Sequence, residues 1–466
     1  MMVLVSDLHL TDERTAQNVN PEAFKLFAGE VAATARKRGA KETVLVLLGD
    51  TMDLVRSDFW LRQLIPPDER PWGGDLDPRT GMNANSPAIE RQFLTVLTEI
   101  LASPTARQLQ ATLAELERTC PAFSVRYVIG NHDRVLWNFP ALQTAIRQAI
   151  PQISGFSSSV ESEEYGIIAR HGHEWDLNCH GWEFRNKVLL PQENVPRFAP
   201  ESYQVMAIGE AVTAELMGGL IYHAAQLGTP PGIVEQLKDV NNLRPMLHVF
   251  EWLDWIGARE SREEQKRLYE ALRRALDGLL ACSLARRWDR MRTDLLVSAD
   301  LIDRLQQARV LVLGPDFGSF RGRLGGLKRL ERLFPLLFKE EDILREGARS
   351  EDVFRTPRAG SAIQRVIYGH THRARHDYFH GNQDGTVQMY INTGTYLPLI
   401  TEAEDGESFA SSIQMVYVYL YRVDEDLDTK DPGTTSMDVW TGIRRKVYSQ
   451  PVRFQRGSSF QRERSV

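Results

Sequence analysis

Seven short apolar runs, each stopping at polar residues, constrain the fold more than any other feature of this sequence. They are Val3-Leu4-Val5, Thr43 to Leu48, Val125 to Ile129, Gly166 to Arg170, Arg365 to Tyr368, Val387 to Ile391 and Met415 to Tyr421. Each has strand length, β-branched or leucine-rich character and a turn-like stop. Between the early ones lie helical patterns over Pro21 to Arg38 and Ala88 to Arg118. That alternation predicts an α/β layered core. In such cores, chemistry gathers on the loops that leave the carboxyl ends of strands.

Residues 181–360 read differently. Helical patterns dominate, with Val310 to Leu313 as a candidate strand. Ser261 and Glu264 form a capping-box signature, and Leu268, Leu272, Leu276 and Leu279 follow as an apolar stripe on one helix face. The expected organisation is a discontinuous core over 1–180 and 361–455, a helical insertion or cap over 181–360, and a flexible tail over 456–466. A separate middle domain fits the same pattern. Pro66 to Pro87, rich in Pro, Gly, Asp and Asn, predicts a long surface loop. Gly314 to Gly326 holds five glycines with Arg321 and Arg323, without the GK(S/T) of a phosphate-binding P-loop. It reads first as a plain mobile loop, the alternative being a loop that closes an arginine over a substrate phosphate.

Bulk properties exclude several classes. With 42% hydrophobic and 25% charged residues, the chain is neither disordered nor a membrane protein by composition. A formal charge of -6 disfavours nucleic acid as a partner, leaving only a local basic groove open. Cys120, Cys179 and Cys282 form no CxxC pair, so free thiols in a reducing compartment are expected. No apolar run reaches the roughly 18–20 residues of a transmembrane span. The apolar run at Val3 meets a polar motif at once, which is unlike a signal peptide. A cytoplasmic protein is the expectation.

Five polar motifs sit at the ends of strand-like runs: Asp7-Leu8-His9, Gly49-Asp50-Thr51-Met52-Asp53, Gly130-Asn131-His132-Asp133, His171-Gly172-His173 and Gly369-His370-Thr371-His372. Aspartate oxygen, imidazole nitrogen and the asparagine carbonyl together suit manganese, iron or zinc better than calcium. In Asp7-x-His9 and His370-x-His372, alternate residues of an extended segment would project to one side. The glycines before Asp50, Asn131 and His370 would let the backbone turn sharply off its strand.

In order and composition these blocks resemble the calcineurin-like metallophosphoesterase family, whose pattern is DxH, GDxxD, GNH(D/E), H and GHxH. The resemblance covers roughly residues 1–176 and 361–396 and leaves the helical region unexplained. It implies a four-layer αββα sandwich with a large helical insertion, and two divalent ions, manganese foremost, with iron or zinc as alternatives. Asp7, His9, Asp50 and His372 would hold one ion; Asn131, His171 and His370 would hold the other, with Asp50 bridging. Ions so held lie about 3.5–4 Å apart, and a hydroxide between them would attack the phosphorus of a phosphate mono- or diester. His132 would serve the leaving group without ligating, oriented by Asp133. Asp53 would support its loop or the residues behind the metals. His171 is preferred to His173 as the fourth-block ligand. His173 would then stand behind the metals, and the stretch from His173 to Asp176 would line or pack the pocket.

Some features are similar to UDP-diacylglucosamine hydrolases: the DLHL opening, an insertion between the fourth and fifth blocks, and Asn392-Thr393-Gly394. His132, where those enzymes typically carry arginine, the HGH fourth block and the size of the insertion all differ. The broader expectation is a phosphate-ester substrate that is small, nucleotide-like or lipid-linked. The other readings are a nuclease of the same superfamily and a scaffold that keeps the fold without the activity. His180, His223, His248, His376 and His380 are expected to be ordinary core or surface residues, and Arg286 to Arg290 a solvated helix face.

Overall fold

The computed structural model describes residues 1–244, 248–291, 301–313, 340–356, 360–381, 387–403, 408–425 and 435–442. It is a mixed α/β protein with two principal sheets. The first has six strands: β1 (Met2–Val5), β2 (Thr43–Leu48), β3 (Phe123–Val128), β4 (Ile153–Ser157), β12 (Met415–Tyr421) and β13 (Ser436–Gly442). Their order is β13-β12-β1-β2-β3-β4, parallel from β1 to β4 and antiparallel across β12 and β13. The second has five: β5 (Ser159–Ser162), β6 (Ile167–Arg170), β7 (Arg365–Tyr368), β8 (Arg375–Gly381) and β9 (Val387–Asn392). In order β5-β6-β7-β9-β8, its three inner strands are parallel and its edges antiparallel. A small hairpin, β10 (Pro398–Glu402) with β11 (Phe409–Ile413), stands apart.

The period of two along each strand decides what packs where. Met2, Leu4, Val44, Val46, Leu48, Val418 and Leu420 of the first sheet share a core with Ile167, Ala169, Ile367 and Ile391 of the second. The intervening residues Val3, Val5, Leu45, Leu47 and Tyr417 face the other way, onto helices that include α1 (Glu22–Arg38). Ile168, Val366, Tyr368 and Tyr390 likewise turn outward and pack on Leu344 and Ala348 of the helix Glu340–Arg349. All seven apolar runs form strands; β4, β5, β8, β10, β11 and β13 carried too little hydrophobic signal to stand out.

Several expectations need correction. Ala88 to Arg118 is not one helix but α2 (Ser86–Leu101) and α3 (Pro104–Thr119). Pro104 cannot continue the first helix, and Ser103 caps the second by accepting from Ala106 N. Val310 to Leu313 is no strand but the end of the helix Leu301–Leu313. The loop before Pro87 is not simply a surface loop: Trp72, Leu76 and Met82 are buried in it. It is drawn inward because Arg70 Nη1 and Trp72 Nε1 both donate to Glu215, each at 2.6 Å. The Arg286–Arg290 face is only partly solvated, since Trp288 is buried against Phe184. Gly314 to Gly326 and the tail from Arg456 lie outside the described residues.

The helical region is joined tightly to the first sheet's side of the molecule. Leu268, Leu272, Leu276 and Leu279 are buried in the same apolar cluster as that sheet's outer face, and Ser261 caps their helix by accepting from Glu264 N. The helical stretch Pro200–Gln226 is long and apolar enough to cross a membrane, yet 89% of its apolar window is buried inside the protein. It includes a π-helical turn, Val212–Gly218, whose Glu215 receives Arg70 and Trp72.

Asp239 is buried in the turn Lys238–Asn242, and burial pushes its carboxyl up to about 6 against the hydrogen bond from Asn242. A carboxyl raised on folding weakens the folded state at pH values where it ionises. The penalty is small near pH 4 and complete above about pH 6. Asp239→Asn should therefore stabilise the protein at pH 8, by on the order of 2 kcal/mol, with little change at pH 4. Equal unfolding temperatures for the two proteins at pH 8 would refute this.

Candidate metal centre

Parallel pairing brings the motif loops to one end of the molecule. Asp7 and His9 follow β1, Asp50 and Asp53 follow β2, Asn131 and His132 follow β3, His171 follows β6, and His370 and His372 follow β7. Past the strand ends the loops continue to pair: Asp7 N donates to Gly49 O at 3.1 Å, His9 N to Asp50 O at 2.8 Å and Gly369 N to His171 O at 2.9 Å.

The predicted ligand residues do not project from extended segments, as their spacing suggests. Asp7, His9, Asp50, His370 and His372 all have left-handed backbones, with φ of 53°, 43°, 51°, 73° and 62°. Such conformations are unfavourable for residues with a Cβ and cluster where function over-determines them. Of the three glycines, Gly49 is the one with positive φ, at 88°. Gly130 and Gly369 serve close approach instead: a Cβ on Gly130 would overlap the Asp50 carboxylate, and one on Gly369 the Asp7 carboxylate and Ser6.

Seven predicted ligands converge. Asp7, His9 and His372 bring ligand atoms within 4.8 Å of one another, and so do Asp50, His171 and His370. Between these groups, Asp50 Oδ2 lies 3.6 Å from His9 Nε2 and 3.1 Å from His171 Nε2. Asn131 Oδ1 is also 3.1 Å from His171 Nε2. His9 Nε2 and His372 Nε2 are 2.9 Å apart, with Asp7 Oδ1 3.7 and 3.5 Å away from them.

The far nitrogen of three imidazoles is tied to an acceptor, which leaves the near nitrogen's lone pair for the cluster. His9 Nδ1 donates to Asp53 Oδ2 at 2.7 Å, His171 Nδ1 to Leu48 O at 3.0 Å and His370 Nε2 to Asp176 Oδ2 at 3.2 Å. Lone pairs facing lone pairs in a buried pocket repel unless a cation lies among them. Burial opposes charge on His171, yet the carboxylates of Asp50 and Asp7 push its imidazole up to about 10, so the pocket draws positive charge to Nε2, and a bound cation there would displace that proton. A donor set of this kind fits divalent transition ions.

His171, not His173, faces Asp50 and Asn131. The His173 ring is buried 5.4 Å from His171, neither nitrogen has a hydrogen-bond partner among the described residues, and burial beside His171, His180 and His370 lowers its affinity for a proton despite Glu174. His180, also buried, donates from Nε2 to Arg197 O at 2.9 Å.

His132 is at the cluster's edge, grouped with His9 and Asp50 and about a tenth exposed. The expectation for Asp133 is not met: its carboxylate turns away from His132, accepting from Tyr127 OH at 2.6 Å, Gly130 N at 2.6 Å and Thr51 N at 3.1 Å. It laces the Asp50 loop to the Asn131 loop. Burial, together with the neighbouring Asp50, pushes the Asp133 carboxyl up to about 7. Asp53 orients the imidazole instead, with Oδ1 2.9 Å from His132 Nδ1 while Oδ2 holds His9. Arg56 Nε pairs with the same carboxylate at 2.9 Å. Sequence reasoning missed the roles of Arg56 and Asp176. Asp176 is placed only in a stretch that lines or packs the pocket, and nothing in the type or spacing of Arg56 sets it apart.

Asp53→Asn would present an amide N–H to one of two imidazole N–H groups, so either His9 or His132 must lose its acceptor. Divalent-ion binding should weaken about 10- to 100-fold while the fold survives, as read by manganese titration beside circular dichroism. Unchanged binding would remove Asp53 from the orientation of His9.

No protein-family model matches this chain, and a search of curated proteins finds no match either.

Proposed function

We propose that this protein is a two-metal phosphoesterase of the calcineurin-like metallophosphoesterase type, built as a four-layer αββα sandwich interrupted by a helical insertion. The observation that carries this reading is the convergence of Asp7, His9, Asp50, Asn131, His171, His370 and His372 from five loops of two sheets. Two divalent ions held there, manganese before iron or zinc, would supply the charge neutralisation and water activation that hydrolysis of a phosphate ester needs.

The protein's own groups divide the remaining work. Asp7, His9 and His372 favour one ion and Asn131, His171 and His370 the other, with Asp50 between them. The most open members of the set are His132 and His370, each about a tenth exposed, while Asp7, His9 and His171 are sealed. A substrate phosphate therefore approaches on the His132 side. Burial opposes charge on His132, but Asp53 and Asp50 raise its affinity for a proton. A protonated imidazole held there can neutralise or protonate the departing oxygen. The substrate class we favour is a small, nucleotide-like or lipid-linked phosphate ester.

The test is hydrolysis by protein reconstituted with manganese, iron or zinc. The panel is p-nitrophenyl phosphate, its bis-ester, cyclic nucleotides, nucleotide-linked lipids and single-stranded DNA. Activity abolished by chelation and restored by metal is expected; no turnover of any member would overturn the reading. Preference for DNA with steep salt dependence would instead make it a nuclease. His132→Ala should keep its metal and lose about 10²-fold or more in turnover. Asp50→Asn should weaken both ions together, and loss of one alone would undo the bridging role.

A further inference from the structure

The two halves of the metal centre are held by different parts of the chain. Asp7 is fixed by Ser6 Oγ, by His370 N at 3.0 Å and by Thr395 Oγ1, which donates to its main-chain oxygen at 2.7 Å. His9 is fixed by Asp53. All of these residues lie outside the helical region.

The loops bearing Asn131, His171 and the support of His370 are instead gripped by residues 197–210. Arg134, three positions after Asn131, is 1% exposed. Its Nε donates to Glu210 Oε1 at 2.7 Å and its Nη2 to Glu210 Oε2 at 3.1 Å, while Nη1 donates to Gln204 O at 2.8 Å. Glu210 Oε1 also accepts from Ala207 N at 3.0 Å, which fixes the carboxylate within its own helix turn. On the next loop, Glu174 Oε2 accepts from Gly172 N at 2.9 Å, beside His171. Tyr203 OH then donates to Glu174 Oε1 at 3.1 Å. Asp176, the acceptor for His370, begins a turn whose Asn178 O accepts from Gly209 N at 2.7 Å.

We propose that segment 197–210 is the buttress of the second metal position, with Glu210 and Tyr203 as positioning residues. The helical region is then part of the metal centre's frame and not only a cover over it. The inference rests on the two-metal reading above. Metal affinity falls steeply when the groups behind the ligands are disturbed, by about 10- to 100-fold for a lost partner. Here that sensitivity should be one-sided. Removing the buttress loosens Asn131 and His171 while leaving Asp7 and His9 with their own supports.

The experiment is manganese titration of the full-length, metal-stripped chain, followed by calorimetry and by electron paramagnetic resonance. Wild-type protein should bind two manganese ions per chain and show the exchange-coupled signal of a pair. Glu210→Gln and Tyr203→Phe should keep the tighter site within about twofold and weaken the other 10-fold or more, with the six-line signal of an isolated ion replacing the coupled one. Glu210→Gln leaves the buried Arg134 guanidinium without its carboxylate and risks the fold. Tyr203→Phe removes one hydroxyl and keeps the ring, so it carries the test alone if the first variant does not fold. Equal weakening of both sites, or two undisturbed sites in folded variants, overturns the buttress and leaves the two-metal reading standing. Wild-type protein that binds fewer than two ions overturns both.

Discussion

Four carboxylates, those of Asp7, Asp50, Asp53 and Asp133, are buried within a few ångströms of the ends of parallel strands, and the surrounding structure is arranged to tolerate them. Burying an unpaired charge costs several kcal/mol. Asp53 is compensated by Arg56 and two imidazoles, and these hold it well below the usual carboxylate range although burial opposes them. Asp133 escapes by becoming easier to protonate and by accepting from two backbone N–H groups and a tyrosine. Asp7 and Asp50 meet histidines but, among the described residues, no arginine or lysine. Neutral imidazoles leave that charge uncancelled, and the proposed ions would take the place of the proton that Asp50 and Asp7 otherwise draw onto His171.

Local geometry follows from that requirement. Oxygen and nitrogen atoms from separate loops must lie a few ångströms apart, closer than ordinary side-chain packing brings them. Left-handed backbone at five of the proposed ligand positions turns each side chain back toward its neighbours. The absence of a Cβ at Gly130 and Gly369 lets one loop lie against another's carboxylate. Strain and close approach at one end of the sheets are tolerable because apolar cores on both faces of each sheet hold the strands behind them.

Much of this was legible in the sequence, because burial on both faces of parallel strands leaves continuous apolar runs and the proposed ligands follow those runs directly. Three of the four parallel strands of the first sheet, and the three of the second, were visible in this way. Strands such as β8 and β13, antiparallel and at sheet edges, keep polar residues and were not. The Asp133 and Asp53 roles were exchanged for a related reason: adjacency in sequence favoured Asp133 as the partner of His132, whereas the loop turns it toward Tyr127. Trp72 was read as loop because Pro and Gly surround it, and only its distant partner Glu215 shows why it is buried. Links such as Arg134 to Glu210 span 76 residues, and no local pattern announces them.

The first sheet also imposes an order on how this protein can be made. β1 lies between β2 and β12, with Met2 opposite both Val44 and Leu420. Its partner on one side is thus available early in synthesis, and on the other only after several hundred further residues have left the ribosome. Throughout that interval one edge of β1 lacks its neighbour, and in its second half the apolar helical stretch Pro200–Gln226 is already present. Nascent chains with unpaired strand edges and uncovered apolar helices are the species that aggregate or engage chaperones. The connectivity that closes the sheet therefore makes the yield of folded protein depend on what shields an incomplete chain during translation.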